Sequence, residues 1–257
     1  MTDAKTRNIH FTASDAPAAQ QALADLSTRY GQVELDAADV IVALGGDGFM
    51  LQTLHRTQHL KTPTYGINCG TIGFLLNEFN DKNLPDRLSQ AQEELINPLQ
   101  MTAQDCDGVT HTALALNEVS LLRAGPQAAK LRISVDGKVR MDELICDGAL
   151  VCTPAGSTAY NYSADGPILP IGSDVLALTA IAPFRPRRWR GALLPQSAKV
   201  RFDVLQAEKR PVMADADSRP VHNVKWVEIS VNNDVVHRIL FDPGQGLQER
   251  MMREQFV

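Results

Sequence analysis

The feature that most constrains the fold is an apolar run that leads directly into a glycine-rich turn and then a helical pattern. Residues 39–45 read DVIVALG, and Gly46, Asp47 and Gly48 follow at once. A continuous apolar run of this length, bounded by glycine, is typical of a strand covered on both faces. Such strands belong to parallel sheets connected by helices, so this part of the chain is predicted to be α/β.

The flanking segments repeat the same alternation. Short apolar runs at 8–12 and 62–68 predict further strands, and the longer amphipathic patterns at 16–31, 48–58 and 83–96 predict helices. Alternating strands and helices are the pattern of βα units around a parallel sheet.

Beyond about residue 98 the pattern changes to short strands separated by turn signals. Residues 130–145 are the clearest case, because alternating runs flank Asp136-Gly137, a strong two-residue hairpin signal. Asp107-Gly108 and Asp147-Gly148 are read as turn signals of the same kind, and residues 199–205 and 224–231 continue the strand pattern. This part of the chain is therefore predicted to be rich in β structure.

A length of 257 residues suits one large domain or two ordinary ones. The change of pattern favours two: an α/β domain over residues 1–98 and a β-rich domain over residues 99–239. The last fifteen residues become helical again, and residues 240–257 are expected to pack back on the first domain.

Composition limits the classes of partner. The formal net charge is −5, which disfavours nucleic acid and acidic membranes as partners. No run approaches the 18 or so apolar residues that span a bilayer, and the first residues lack a signal-peptide core, so a cytoplasmic location is expected.

The cysteines and histidines match no metal motif. The four cysteines form no C-x-x-C pair and are expected to be reduced thiols of the core; they are Cys69, Cys106, Cys146 and Cys152. His55 and His59 are spaced to share a helix face, but no acidic third ligand accompanies them, so a solvated face is expected. No metal site is therefore predicted at these cysteines and histidines.

The loop around Asp47 is suited to phosphate. Gly45, Gly46 and Gly48 remove the side chains that would keep a ligand from the backbone, and the following helix adds the partial positive charge of its N-terminus. A P-loop would need a Gly-Lys-Ser/Thr ending, and a dinucleotide fingerprint would need a glycine where Leu51 stands. Both motifs are excluded.

A carboxylate in such a loop needs a chemical reason, because it repels phosphate. Asp47 would either hold Mg²⁺ that the phosphate oxygens also hold, or accept the proton of a hydroxyl that attacks phosphorus. Both roles are those of a kinase.

Five stretches together resemble the NAD kinase family. The GGDG turn alone is shared with lipid kinases and phosphofructokinases, but four further stretches match in the expected order. They are YGINCGTIGFL (65–75), ALNEVSLLR (115–123), CDGALVCTPAGSTAYNYSADGPILP (146–170) and LALTAIAPF (176–184). The resemblance implies a Rossmann-like or phosphofructokinase-like α/β domain followed by a β-sandwich-like domain.

The same resemblance implies roles for individual residues. Asp47 would act on the 2′-hydroxyl of the adenosine ribose of NAD, with ATP and Mg²⁺ or another divalent cation as the phosphate donor. The positions implied for binding ATP phosphates are Gly45, Gly46, Asn68, Gly70 and Gly73, and those implied for binding NAD are Gly48, Asn117, Glu118, Asp147, Ala155, Thr158, Ala159, Tyr160, Asn161, Tyr162, Ser163 and Ala182. A homodimer or homotetramer is also implied.

Two stretches depart from the family pattern. Residues 184–195 (FRPRRWRGALLP) carry four arginines around Trp189, which would pair substrate phosphates, join subunits or form a solvated loop. Near the end of the β-rich part, Asp217-Ser218-Arg219 stands where the family has Asp-Gly-Gln or a similar triplet. A ligand contact by Arg219 is therefore an open question.

Two alternative functions stay open at the level of sequence. Another GGDG-type kinase would need a broad apolar pocket for a lipid or a basic site for a sugar phosphate, in place of the base-reading loop at residues 153–161. A non-catalytic dinucleotide sensor would be favoured by loss of the acidic residue at position 47, and Asp47 is present.

Overall fold

The structure is a computed structural model that describes residues 7–70 and 73–256. The chain divides into two compact units. The first contains the residues up to Ile96 together with those from Val235 onward, and the second contains Asn97–Asp234.

The described secondary structure is numbered here in chain order. The strands are β1 (Ile9–Ala13), β2 (Val40–Gly45), β3 (Thr64–Asn68), β4 (Gln92–Ile96), β5 (Leu99–Asp105), β6 (Thr110–Ala115), β7 (Glu118–Arg123), β8 (Ala129–Val135), β9 (Lys138–Cys146), β10 (Gly148–Cys152), β11 (Val175–Ile181), β12 (Gly191–Pro195), β13 (Val200–Val204), β14 (Val212–Ala216), β15 (Pro220–Val221), β16 (Val224–Val231) and β17 (His237–Phe241). The helices are α1 (Pro17–Tyr30), α2 (Asp47–Arg56), α3 (Leu84–Gln90), α4 (Tyr160–Ser163) and α5 (Leu247–Glu254), with short 3-10 helices at Leu35–Ala37 and Ala155–Thr158.

The first unit is built on a five-stranded sheet in the order β1-β2-β3-β17-β4. The pairs β1/β2, β2/β3 and β3/β17 are parallel, and β4 is an antiparallel edge strand. Every residue of β2 is buried, as the apolar run at 39–45 predicts. Helix α1 starts with proline in its first turn and ends before Gly31, whose φ of 82° suits glycine. The α/β prediction for this part is confirmed.

One predicted helix is only half correct. The pattern at 83–96 predicts a single helix, but α3 ends at Gln90 and Gln92–Ile96 form strand β4 beside β17. Glutamate and leucine favour helix, but intrinsic propensities are small, and the backbone hydrogen bonds offered by the edge of the sheet outweigh them.

The prediction of a shared, solvated helix face for the two histidines is wrong, although His59 is exposed as predicted. Helix α2 ends at Arg56, so His59 lies in the turn beyond it. His55 is only 5% exposed and packs edge-to-face against His237 of β17, with ring centroids 6.1 Å apart. The last turn of α2 therefore directs His55 at the sheet, where the edge-to-face contact is a favourable aromatic arrangement.

The second unit contains two six-stranded sheets, in the orders β12-β11-β10-β7-β14-β15 and β6-β5-β16-β13-β8-β9. Their inner faces share one apolar core, which includes Val119 and Val151 from the first sheet and Met101 and Phe202 from the second. Two antiparallel sheets packed over a common core form a β-sandwich. The predicted class, an α/β domain followed by a β-sandwich-like domain, is confirmed.

The turn signals of this unit meet different outcomes. Asp136 and Gly137 both have positive φ and connect β8 to β9 as a two-residue hairpin, as predicted. Asp147-Gly148 makes no hairpin, because β9 and β10 lie in different sheets and the chain crosses between them at Asp147. Both Asp-Gly sequences permit a turn. Whether the turn is a hairpin depends on whether the next strand pairs with the preceding one or joins the other sheet.

All four cysteines are free thiols. Cys146 and Cys152 are buried, as predicted, and burial raises the pKa of both thiols to about 12. The prediction of core positions is wrong for the others, since Cys69 is half-buried and Cys106 is exposed. Among the residues that the structure describes, no helix has both the length and the apolar character needed to cross a membrane.

Candidate active site

The two glycine motifs of the first unit meet at the carboxyl ends of β2 and β3. Gly45 pairs with Asn68 in the strand register, and the Cys69 N–H donates a 3.0 Å hydrogen bond to the Gly45 carbonyl. Gly46 caps α2, and Asp47 is the first residue of that helix. In parallel sheets of α/β proteins, ligands bind at this edge. The predicted phosphate loops are thus side by side in the usual place.

The carboxylate of Asp47 is held in a fixed orientation. Its Oδ2 accepts the N–H of Phe74 at 2.6 Å, and its Oδ1 accepts the N–H of Leu75 at 2.8 Å. Asp47 is half-buried, while Gly46 and Gly48 on either side of it are exposed. Each carboxylate oxygen has a second lone pair, so Asp47 is able to accept a further hydrogen bond from a ligand.

Gly73 lies against this carboxylate. A Cβ atom at position 73 would come within 3.1 Å of Asp47 Oδ1 and 2.8 Å of a methyl group of Leu76. Asn68 is half-buried, and its Oδ1 accepts the N–H of Gly70 at 2.9 Å, while Gly70 itself is exposed. The structure therefore brings the predicted residues of the first unit together around Asp47.

A cavity of about 390 Å³ opens beside the Gly73–Leu75 turn. It is lined by Asn68, Gly73, Phe74, Leu76, Asn77, Glu78, Gln245, Arg250 and Arg253. The last three come from the segment around α5, and the sequence analysis names none of them as site residues. Their only signal in the sequence is a charged helical pattern near the C-terminus, which is typical of any surface helix.

Asn77 is a further residue that the sequence analysis misses. It is fully buried, and its Nδ2 donates hydrogen bonds of 3.0 Å to the carbonyls of Gly66 and Leu240. Its Oδ1 accepts the Asp242 N–H at 2.8 Å. One side chain thereby connects β3 to the end of β17, and a buried amide with such partners supports the loop that carries Gly73.

In the second unit, Asp217 holds the Asn117-Glu118 pair. Three consecutive backbone N–H groups donate hydrogen bonds to its carboxylate. The donors and their shortest N···O distances are Leu116 at 2.5 Å, Asn117 at 3.2 Å and Glu118 at 3.4 Å. Asp217 has a φ of 46°, which places it in a tight turn after β14. Asp217, the first residue of the Asp217-Ser218-Arg219 triplet, thus has structural partners within its own chain.

Thr153 secures the same turn from the other side. Its hydroxyl donates to the Leu116 carbonyl at 2.6 Å, and its N–H donates to the Asn117 carbonyl at 2.9 Å. The backbone around Asn117 is therefore hydrogen-bonded through both its N–H and its C=O groups. The direction of the Asn117 and Glu118 side chains follows from this fixed backbone.

The Glu118 carboxyl group has an unusual environment. Burial, reinforced by the negative charges of Asp217 and Asp215, raises its pKa from 4.5 to about 8, although the Tyr160 N–H acts in the opposite direction. Within the described residues, its Oε2 has no hydrogen-bond partner. Burial thus favours the protonated form of Glu118, and a neutral carboxyl group is able to donate as well as accept.

This raised pKa predicts a pH-dependent stability. The folded state retains a proton that the unfolded state releases above its ordinary pKa, so the free energy of unfolding falls as pH rises from about 4.5 to about 8. Glu118→Gln removes this contribution. In urea unfolding experiments, we expect the variant to gain stability relative to wild type across that range and the gain to level off above it. A difference that stays constant from pH 4 to pH 9 would contradict the assignment.

The predicted base-reading loop forms the 3-10 helix Ala155–Thr158 and helix α4. Neither Ser157 nor Thr158 caps α4: the buried Ser157 hydroxyl donates to the Pro154 carbonyl at 2.7 Å and accepts the Leu169 N–H at 3.0 Å. The Ser157 hydroxyl therefore connects the start of this loop, at Pro154, to Leu169.

The predicted binding residues of this loop differ in exposure. Ala155 and Asn161 are buried, Thr158, Ala159 and Tyr160 are half-buried, and Tyr162 and Ser163 are exposed. The Asn161 amide is engaged within the protein, because it donates to the Ser157 and Pro167 carbonyls and accepts the Thr179 hydroxyl at 2.6 Å. Its side chain maintains the loop, which leaves the half-buried and exposed positions accessible to a ligand.

Gly156 sets how closely this loop approaches Asn117. A Cβ atom at position 156 would overlap the backbone O, C and Cα atoms of Asn117, which have no flexible end that could move aside. We expect Gly156→Ala to lower the free energy of unfolding by about 3 kcal/mol, at the upper end of overpacking effects. Gly125→Ala is the control, since its Cβ atom would meet Pro211 at an ordinary 3.6 Å. Equal urea midpoints for the two variants would exclude the tight contact.

Asp147 and Ala182 meet at the opposite end of β10 from Glu118. The Asp147 N–H donates to the Ile181 carbonyl at 3.0 Å, and its carboxylate pairs with Arg123 at 2.6 Å. Ala182 follows Ile181 with a φ of 46°, an uncommon conformation for alanine. Burial raises the pKa of Tyr160. The negative charges of Glu118 and Asp147, which lie at opposite ends of β10, raise it further.

The arginine-rich stretch after Ala182 is exposed. Phe184 and Arg185 pair with the backbone of Ile145, and the Arg185 guanidinium lies 5.5 Å from the Phe184 ring centroid. Arg187, Arg188 and Arg190 are exposed. This arrangement is compatible with a solvated loop, the least specific of the three expectations for this segment.

Two models of known protein families match this chain, one in each half. The model of the ATP-NAD kinase N-terminal domain matches residues 1–96, and that of the ATP-NAD kinase C-terminal domain matches residues 116–237. A NAD kinase of Cereibacter sphaeroides is 68% identical over 251 residues, covering 98% of this chain and 99% of that protein. A NAD kinase of Caulobacter vibrioides is 57% identical over 248 residues, covering 96% of this chain and 95% of that protein.

Solved structures give the same result for the fold. A yeast NADH kinase complexed with NADH has a TM-score of 0.83 at 21% identity, covering 97% of this chain and 87% of that one. A NAD kinase from Archaeoglobus fulgidus in complex with ATP has a TM-score of 0.74 at 26% identity, covering 97% of each chain. Since both halves of the chain match family models and full-length relatives exceed 50% identity, this chain belongs to the ATP-NAD kinase family.

Proposed function

We propose that this chain transfers the γ-phosphoryl group of ATP to the 2′-hydroxyl of the adenosine ribose of NAD, giving NADP and ADP. The observation that carries the proposal is the half-buried Asp47 carboxylate, which lies at the carboxyl end of β2 with the glycines of two loops around it. Family membership supports the same reaction, since relatives at 57–68% identity carry the name NAD kinase.

Asp47 has the geometry that the acceptor hydroxyl needs. Two backbone N–H groups hold its carboxylate, and each oxygen retains a lone pair for a further hydrogen bond. In the proposed step, Asp47 orients the 2′-hydroxyl and accepts its proton as the new O–P bond forms and the bond between the γ-phosphorus and ADP breaks. A positioned base typically contributes a factor of about 10² to 10⁴ to the rate.

The glycines would bind the donor. Gly46 and Gly70 are exposed at the ends of neighbouring strands, and no Cβ atom limits the approach of a phosphate to the backbone there. Phosphoryl transfer asks little covalent work of the protein, so in-line positioning and charge neutralisation provide most of the rate.

The Asp47 carboxylate is a ligand of the type that Mg²⁺ prefers. No cluster of three or more His, Cys, Asp or Glu side chains suited to a metal occurs among the described residues. In kinases, Mg²⁺ keeps several waters and is held by one or two carboxylates plus the substrate phosphates. Asp47, together with ATP, fits that mode, and a bound Mg²⁺ would neutralise charge on the phosphates.

The proposed site for NAD consists of Asn117, Glu118, Tyr160 and the exposed part of α4. The fixed backbone at Asn117 and the Tyr160 N–H on Glu118 give this group a defined shape before any ligand binds. A neutral Glu118 would be able to donate a hydrogen bond to a ligand oxygen or nitrogen. Asp147 and Ala182 are proposed to contact the nicotinamide side.

An acceptor assay tests the function directly. Purified protein is incubated with Mg²⁺-ATP and, in parallel, NAD, NADH, a diacylglycerol or fructose 6-phosphate, and the products are identified by mass spectrometry and ³¹P NMR. We expect phosphate on the 2′-hydroxyl of NAD or NADH. Phosphate only on the lipid or sugar, or no product at all, would refute the proposal. Replacing ATP by polyphosphate defines the donor.

We further propose that the enzyme acts in the cytoplasm as a homodimer or homotetramer. Support comes from the resemblance to its family. Light scattering of the purified protein measures the subunit number.

A further inference from the structure

Arg250 of helix α5 contacts the loop that holds Asp47. Its Nη1 donates a 2.8 Å hydrogen bond to the Gly73 carbonyl, and its Nε donates a 2.8 Å hydrogen bond to the Gln245 carbonyl. The guanidinium also lies 5.4 Å from the Phe241 ring centroid. Three contacts in different directions therefore define the position of this guanidinium.

The carbonyl that Arg250 binds belongs to the same peptide group as an N–H that binds Asp47. Gly73 supplies the C=O of that peptide, and Phe74 supplies its N–H, which donates to Asp47 Oδ2 at 2.6 Å. A peptide group is planar and rigid. A hydrogen bond at one end therefore restricts the orientation of the group at the other end.

The hydrogen bond from Arg250 to the Gly73 carbonyl also makes the Phe74 N–H a stronger donor. When a cation binds the carbonyl oxygen, it polarises the peptide and makes its N–H a better hydrogen-bond donor. Burial lowers the pKa of the Arg250 guanidinium, and the negative charge of Asp47 acts in the opposite direction by favouring the charged form. The positive charge of Arg250 therefore lies at the carbonyl end of the Gly73–Phe74 peptide, and the N–H end of that peptide orients the Asp47 carboxylate.

We infer that Arg250 is a positioning residue for the reaction, which acts on Asp47 through the Gly73–Phe74 peptide. The inference rests on the proposed function, because it assigns Arg250 a role in orienting the group that receives the proton. It predicts an effect on turnover rather than on NAD binding. A guanidinium that instead contacts the donor phosphates would change the KM for ATP.

Variants at position 250 separate these roles. Arg250→Gln removes the charge and the fixed donor, whereas Arg250→Lys keeps a charged donor of different shape. We expect kcat to fall about 10- to 100-fold in Arg250→Gln, since small displacements of catalytic groups cost up to that factor. We expect an intermediate kcat in Arg250→Lys and a KM for NAD within about twofold of wild type in both. Parallel thermal unfolding checks that each variant is folded.

The matched control is Arg29→Gln. Arg29 is also a helix arginine of the first unit that donates to a backbone carbonyl, that of Asp81 at 2.6 Å, but it lies at the surface in the last turn of α1. We expect its kcat to equal that of wild type. Equal kcat values for Arg250→Gln and Arg29→Gln would overturn the inference.

A double-mutant cycle with Asp47→Asn tests the coupling, which a merely structural role for Arg250 would not produce. If Arg250 acts through Asp47, Arg250→Gln slows the wild-type enzyme but not the Asp47→Asn enzyme in single-turnover experiments. Independent losses that multiply, or a change confined to the KM for ATP, would overturn the inference. If the wild-type protein forms no NADP, the proposed function itself fails, and the two failures are thereby distinguishable.

Discussion

Asp47→Asn is expected to lower kcat for NADP formation by a factor of about 10² to 10⁴. The amide cannot accept the proton of the attacking hydroxyl. It also has only one oxygen to accept the two N–H bonds from Phe74 and Leu75, so the orientation of the side chain is lost as well. Steady-state assays measure kcat, and titration calorimetry measures NAD affinity, which we expect to remain within about threefold of wild type.

Asp86→Asn is the control for this variant. Asp86 also lies in the first turn of a helix, α3, but it is exposed and outside the cavity beside Asp47. We expect its kcat to match wild type. If Asp47→Asn retains near-full turnover, Asp47 has no part in proton acceptance or in orienting the hydroxyl.

Asp217→Ala is expected to have the largest effect on the second unit. The substitution leaves three backbone N–H groups, those of residues 116–118, without their acceptor. Hydrogen bonds to charged groups contribute about 1.5–3 kcal/mol each, and water will replace some of them, so a loss of about 3 kcal/mol in the free energy of unfolding is expected. Because the same turn directs Asn117 and Glu118, we also expect the KM for NAD to rise at least about tenfold.

Asp203→Ala provides the comparison for Asp217→Ala. Asp203 lies on β13 in the other sheet and forms a partly exposed ion pair with Arg201 at 3.0 Å, so its removal should cost less than about 1 kcal/mol. Urea unfolding and NAD-dependent kinetics are measured for both. A stability loss in Asp217→Ala without any change in the KM for NAD would show that the turn supports the fold but not the binding of NAD.

Local patterns predicted the elements whose signals lie within one stretch of chain. The run at 39–45 predicted strand β2, and Asp136-Gly137 predicted its hairpin, because burial on two faces and positive φ both leave marks on adjacent residues. The failures occurred where a partner elsewhere decided the outcome. Residues 92–96 became a strand because β17 offered them backbone partners, and His55 is buried because the sheet lies beneath the last turn of α2.

The candidate site shows the same division. Asp47 was predicted as the acidic group of a phosphate loop, since a glycine-rich strand–helix junction is a local pattern. Its supporting groups were not predictable, because Arg250 binds the Gly73 carbonyl across 177 positions and Asp217 binds the Leu116 N–H across 101 positions. No periodicity in the sequence relates residues at such separations.

The sequence by itself therefore determined the fold class, the glycine-rich loop after β2 and the acidic residue in that loop. Each depends on strand and helix periods, on glycine conformation or on residue chemistry at adjacent positions. Only the tertiary structure decided how that chemistry is tuned. Burial and two neighbouring carboxylates raise the pKa of Glu118, and a single peptide group connects Arg250 to Asp47. Desolvation and long-range hydrogen bonds arise only when distant segments pack together, and for that reason they are absent from any local pattern.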